Sequence, residues 1–151
     1  MARDILILRD PKESWKKCSL APLRGMEGVR FVTWREGLEL EVTGRLLLDP
    51  DAPEIGEGDV GRPLFLIDSS WRRLAVLRRA VVGEPVARSL PRLATAYPRR
   101  SETFPDPEVG LASIEALFAA SCLAGTPDLD LLAHYHFRDA FLAANRSLRA
   151  H

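Results

Sequence analysis

Pro63-Leu64-Phe65-Leu66-Ile67-Asp68-Ser69-Ser70-Trp71 decides how this chain is read. Its first half is a short, unbroken apolar run, the pattern of a strand buried on both faces of a parallel sheet. That run stops abruptly on a carboxylate, two hydroxyls and an indole, a set of groups suited to presenting chemistry at the end of a strand. Asp and Ser are also ordinary turn formers and helix N-caps, and a Trp after a strand often packs into a core, so these residues alone leave both readings open.

Outward from this stretch, Ile5-Leu6-Ile7-Leu8 is a second continuous apolar run, and Arg45 to Leu48 a third. Val29 to Trp34 is rich in β-formers, and Leu38-Glu39-Leu40-Glu41-Val42 alternates with strict period two. Beyond Gly110 the period changes. Leu111, Ile114, Leu117, Phe118 and Ser121 fall on one helical face. Leu129, Leu132, His136, Phe137, Phe141, Leu142, Asn145 and Leu148 continue that period. The order predicts an α/β half over 1–94 followed by a helical half over 95–151.

With 151 residues, 46% hydrophobic and 28% charged, the chain has the size and composition of a globular domain that buries its own core. Two cysteines, Cys18 and Cys122, exclude a disulfide framework and a four-thiolate metal site. Cys18 follows Lys16 and Lys17, but a buried, inert thiol is the expected state. His134 and His136, two apart on a helix, would diverge by about 200° and share no ion, so no metal is expected. The apolar run after Met1-Ala2-Arg3-Asp4 is too short for a signal-peptide core and no segment approaches a membrane span, which points to the cytoplasm.

The formal net charge is +0, which argues against a nucleic-acid binder, but the average hides an asymmetry. Arg35 to Asp59 holds eight acidic residues against two Arg, a net of −6, whereas Arg72 to Arg100 holds eight Arg against one Glu, a net of +7. Such a division steers a polyanion towards one face, with Arg72, Arg73, Arg78, Arg79, Arg99 and Arg100 as its candidate contacts. Gly56-Glu57-Gly58-Asp59-Val60-Gly61 satisfies the G-x-G-x-x-G pattern of dinucleotide folds but fails on context. It precedes a strand instead of opening a helix, and its two acids repel a pyrophosphate, so it reads as a flexible acidic loop.

Two further blocks join Asp68-Ser69-Ser70-Trp71, Leu90-Pro91-Arg92-Leu93-Ala94-Thr95-Ala96-Tyr97-Pro98 and Leu111-Ala112-Ser113-Ile114-Glu115-Ala116, and two weaker matches lie upstream, Asp10-Pro11-Lys12 leading to Cys18-Ser19, and Leu46-Leu47-Leu48-Asp49-Pro50. In this order they resemble the small-subunit rRNA aminocarboxypropyltransferases, whose blocks are Asp-Cys-Ser-Trp, Leu-Pro-x-Leu-x-Ala-Ala-Asn-Pro and Leu-Ser-x-x-Glu-Ala. Ser69 stands where the family has Cys, and Tyr97 where it has Asn. The Arg99 to Gly110 loop is longer than the pattern, and residues are inserted between Lys12 and Cys18. The tRNA-uridine aminocarboxypropyltransferases, with an Asp-Thr-Trp block and a similar Ser-x-x-Glu-Ala helix, are a more distant likeness.

The resemblance implies a SPOUT-like α/β fold, a mostly parallel sheet with a trefoil knot followed by a C-terminal helical half, and S-adenosylmethionine (SAM) as substrate. It also implies RNA, rRNA ahead of tRNA, as the acceptor of a 3-amino-3-carboxypropyl group. By position it places Leu48, Pro50 and Trp71 around the SAM methyl, and Ser19 and Ser89 at the aminocarboxypropyl end. The backbone of Leu93 and Ala94 would meet the adenine, and Ser113 and Glu115 would lie in the cofactor site. Asp68 is either the general base for an imide nitrogen or the partner of the SAM amine. Methyl transfer, or a non-catalytic RNA-binding or ribosome-assembly role that keeps the fold, are the alternatives.

Overall fold

The apolar runs form the centre of a parallel sheet. A computed structural model describes residues 2–97 and 111–150. In it β1 (Ile5–Arg9), β2 (Val29–Thr33), β4 (Leu46–Leu48), β5 (Leu64–Asp68) and β7 (Val86–Arg88) make a five-stranded sheet in the order β2-β1-β5-β4-β7, with every pairing parallel. A second, two-stranded parallel sheet joins β3 (Leu40–Glu41) to β6 (Val81–Val82). The architecture is therefore α/β with a mostly parallel sheet. Gly28 opens β2 at φ 83°, where a Cβ would run into the Arg3 carbonyl, and its own carbonyl accepts from Ile5 N–H to set the β1–β2 register.

Buried on both faces, β1 and β5 divide the core in two. Ile5, Ile7, Leu64 and Leu66 face one cluster, with α2 (Ser113–Leu123) supplying Ile114, Leu117 and Phe118, and α3 (Arg138–Ala144) supplying Phe141 and Leu142. Leu6, Leu8 and Phe65 face the other, with Leu77 of α1 (Leu74–Arg78). Fully burying each such side chain contributes on the order of 1.5–3 kcal/mol. Because the α2 cluster draws on residues from both predicted halves, the halves share one core.

The structure departs from the sequence reading in three places. The strand expected over Leu38 to Val42 is cut to Leu40–Glu41, because its partner β6 is equally short. The helical period after Leu129 does not make one helix: a 3-10 turn at Leu129–Leu132 is followed by a separate α3, with His134 and His136 in the turn between them. The acidic loop is tied down around Asp59, which is buried, accepts from Gly56 N–H at 2.9 Å and pairs with Arg88 at 3.0 Å.

Candidate functional site

In a parallel sheet the crevice beyond the strands' carboxyl ends is where ligands bind. Here that edge gathers Arg9 and Asp10 from β1, Leu48 to Pro50 after β4, Asp68 to Trp71 from β5, and Ser89 after β7. Strand alternation sorts them. Arg9 and Asp68, Cα partners across β1 and β5, continue the face that packs on α2. Asp10 turns to the α1 side, where it is buried and bound by Arg73 at 2.8 Å.

Asp68 sits half-buried. Its Oδ2 accepts from the Cys18 thiol at 3.4 Å and lies 3.8 Å from Arg9 Nε. Among the described residues no other side chain donates to it, so most of its acceptor capacity is left for a ligand. Burial raises its proton affinity above that of an ordinary Asp, while Cys18 and Arg9 oppose the rise. The Cys18 thiol is itself pushed up to about 11, first by burial and then by the Asp68 charge, so the inert thiol read from the sequence agrees with its environment.

Other residues the resemblance assigned to the cofactor lie on the elements that follow the strands and at the start of α2. Ser19 Oγ accepts from Ile114 N–H at 3.2 Å, capping an amide in the first turn of α2 beside Ser113. Leu48 and Leu93 pack against the α2 cluster, and Ser89 is half-buried with its backbone bridging Pro53 and Ile55. Pro50 is exposed and Trp71 is 59% exposed, so neither is enclosed in an apolar pocket; the indole stands at the surface with the Arg72 guanidinium 5.4 Å from its centre.

Two of the assigned residues spend polar groups within the protein. Glu115 is wholly buried: Oε1 accepts from Thr95 Oγ1 at 2.6 Å and Ala112 N–H at 2.9 Å, and Oε2 from Ala96 N–H at 2.9 Å and Tyr135 O–H at 3.0 Å. With four donors in place its carboxylate is satisfied within the protein, where it holds the segment from Thr95 to Ala96. Ala94 spends its N–H on Asn145 Oδ1 at 2.8 Å and accepts from Asn145 Nδ2 at 2.7 Å, so its N–H is not on offer to an adenine. Glu115 and Asn145 together fix the backbone from Ala94 to Ala96. A cavity of about 530 Å³ opens beside it, lined by Arg92, Leu93, Ala94, Asn145 and Arg146.

Among the arginines assigned to RNA, Arg73 is bound to Asp10 and Arg78 to Asp49, while Arg72 and Arg79 are exposed. Arg99 and Arg100 lie outside the described residues. Arg78–Asp49 and Arg88–Asp59 join the basic stretch to the acidic one, so part of the asymmetry is neutralised within the molecule where β4 and β7 pair. A cleft of about 1040 Å³ opens at the opposite, amino-terminal ends of β1 and β5, but charges along it are already paired, Arg3 with Asp128 and Asp4 with Arg45. No group of three His, Cys, Asp or Glu able to hold a metal occurs among the described residues, and no helix there is long and apolar enough to cross a membrane.

Among solved structures, the SAM-dependent rRNA:acp-transferase Tsr3 from Vulcanisaeta distributa matches with a TM-score of 0.74 and 26% identity, covering 99% of this chain and 82% of that one. The chain resembles the rRNA aminocarboxypropyltransferases. No family model and no curated protein matches. Read on this fold, the Asp68-Ser69-Ser70-Trp71 block of the resemblance falls at the end of β5, the central strand of the sheet, beside β1.

Sequence reasoning missed Arg9, Thr95, Tyr135 and Asn145. Arg9-Asp10 carried the same signal as Asp68, charge at the end of a buried run. Asn145 was a polar residue on an otherwise apolar helical face.

Proposed function

We propose that the protein is a SAM-dependent aminocarboxypropyltransferase acting on a uridine or pseudouridine base in RNA, with rRNA ahead of tRNA. One observation carries the reading: a half-buried carboxylate with open acceptor positions, Asp68, ends a central strand of a fold matched along 99% of its length by a SAM-dependent rRNA:acp-transferase. The residues fit SAM as a substrate. In this reading Asp68 and the Trp71 face complement its cationic groups, Leu48 and Pro50 offer apolar surface to its methyl, and Ser19, Ser89, Ser113 and Leu93 are the further contacts proposed.

In this mechanism Asp68 takes the imide N–H proton as the base nitrogen attacks the side-chain carbon next to sulfur. The C–S bond breaks, the N–C bond forms, and methylthioadenosine leaves with the bonding pair on sulfur. Asp68 suits this because burial raises its proton affinity towards the range of an effective base. Arg72, Arg79, Arg99 and Arg100 are the proposed contacts to RNA phosphates. A trefoil-knotted fold with an α/β half over 1–94 and a helical half over 95–151 packed against it is part of this reading, and the parallel order β2-β1-β5-β4-β7 supports its α/β part. A cytoplasmic protein of ribosome biogenesis is the setting this activity implies.

Titration calorimetry with SAM tests the reading. Wild type binds without added metal, and Trp71→Ala weakens binding about 2- to 30-fold, the range of a cation–π contact. No heat and no thermal stabilisation at excess SAM overturns the proposal. Binding with methyl transfer, or without any turnover, selects one of the alternatives instead.

A further inference from the structure

Beyond Asp68 the site holds a buried cation with no counterpart among the residues assigned so far. Arg9 and Asp68 are register partners on adjacent parallel strands, so their side chains leave the sheet side by side on the α2 face. Both are enclosed, with side chains 5% and 12% exposed. Their closest approach, 3.8 Å from Nε to Oδ2, is too long for a direct hydrogen bond, and Nε has no other partner.

Arg9 is held back from Asp68 by the turn that follows β1. Its guanidinium lies 3.6 Å from the centre of the Trp15 ring, and it donates to the Glu13 carbonyl at 2.7 Å. Trp15 is braced in turn by an edge contact with Phe31, 5.2 Å between centroids, and by Arg24 at 4.3 Å. Trp15 and Glu13 belong to the residues inserted between Lys12 and Cys18, so the clamp comes from a segment in which this chain departs from the pattern it resembles.

We infer that Arg9, clamped by Trp15, is a positioning residue that keeps Asp68 ionised at working pH while leaving its oxygens open to the acceptor's proton. This rests on the reading of Asp68 as the base. A bidentate Arg–carboxylate pair would stabilise the charge more strongly but occupy both oxygens. A cation held just beyond hydrogen-bonding range, at 3.8 Å, supplies the field without the contact. It is needed because, of the other titratable groups near Asp68, the Cys18 thiol supplies no positive charge, and two acids, Glu13 and, from the α1 side of the sheet, Asp10, favour its protonation.

The test is a carboxyl-carbon NMR titration of the full chain, with the Asp68 signal assigned by its loss in Asp68→Asn. The Asp68 midpoint should rise by about 1 to 3 pH units in Arg9→Met. It should return most of the way in Arg9→Lys, which keeps the charge, and fall below the wild-type value in Trp15→Leu, which removes the clamp and lets Arg9 close on the carboxylate. An unchanged midpoint in Arg9→Met overturns the inference; if that variant does not fold, an unchanged midpoint in Trp15→Leu does so. The acid limb of kcat/KM for aminocarboxypropyl transfer should follow the same midpoints. Shifted midpoints in a protein that transfers nothing would sink the functional reading and leave the Arg9–Asp68 coupling standing.

Discussion

Replacing Glu115 with Gln changes one atom of a buried group, and the structure sets the cost. Each carboxylate oxygen accepts one hydroxyl and one backbone N–H: Thr95 and Ala112 at Oε1, Tyr135 and Ala96 at Oε2. Whichever oxygen becomes the amide nitrogen, its hydroxyl partner turns round and accepts, but its backbone N–H cannot turn. One buried amide is orphaned, at about 1–3 kcal/mol, and the remaining bonds lose their charge assistance, so a loss of roughly 2–4 kcal/mol is expected. Glu115→Ala abandons all four donors and should cost more. Urea unfolding followed by far-UV circular dichroism measures both. SAM affinity should fall with Glu115→Gln, because the segment from Thr95 to Ala96 loses an anchor. A loss below about 1 kcal/mol, with affinity unchanged, would refute the claim that this carboxylate holds the segment.

Asp68→Asn should lower aminocarboxypropyl transfer by on the order of 10²-fold or more while changing SAM affinity less. The same substitution should not destabilise the fold at pH 7: burial raises the folded-state proton affinity of Asp68, so its ionisation opposes folding as pH rises, and a large drop in Tm would contradict that. Asp59 has the opposite sign. Gly56 N–H first, and then Arg88, hold it below the usual carboxylate value, so it stabilises the fold above about pH 3.9 and that contribution is lost as pH falls through the folded value. Asp59→Asn should flatten this acid limb in pH-dependent unfolding. RNA binding should weaken with salt at about −0.7 in log–log slope per phosphate contact. Arg99→Ala with Arg100→Ala should flatten the slope, and Arg73→Ala, which loses its pair with Asp10, should not.

Elements whose burial repeats residue by residue were legible in the sequence. Ile5 to Leu8 and Leu64 to Ile67 are apolar at every position because parallel strands buried on both faces have no solvent side. Val86–Arg88 and Leu74–Arg78 were not, because three and five residues carry too little period to separate strand, helix and turn. The site divides in the same way. Asp68 stood out because a charge ended an apolar run. The buried bonds of Glu115 to Thr95 and Tyr135, and of Asn145 to Ala94, span 20 and 51 residues, and no local spacing encodes such pairs. Charge counting failed for a related reason: Arg78 and Asp49 lie 29 residues apart in sequence but meet in space, so a basic stretch is not the same as a basic face.

The central claim is tested most directly by following the atoms of SAM into RNA. Purified protein is incubated with a precursor rRNA transcript and SAM labelled in separate reactions at the carboxyl carbon and at the methyl carbon. The account predicts carboxyl label in the RNA, no methyl label, release of methylthioadenosine, and loss of the signal in Asp68→Asn. Methyl label in the RNA, or carboxyl label at the wild-type level in Asp68→Asn, would contradict it.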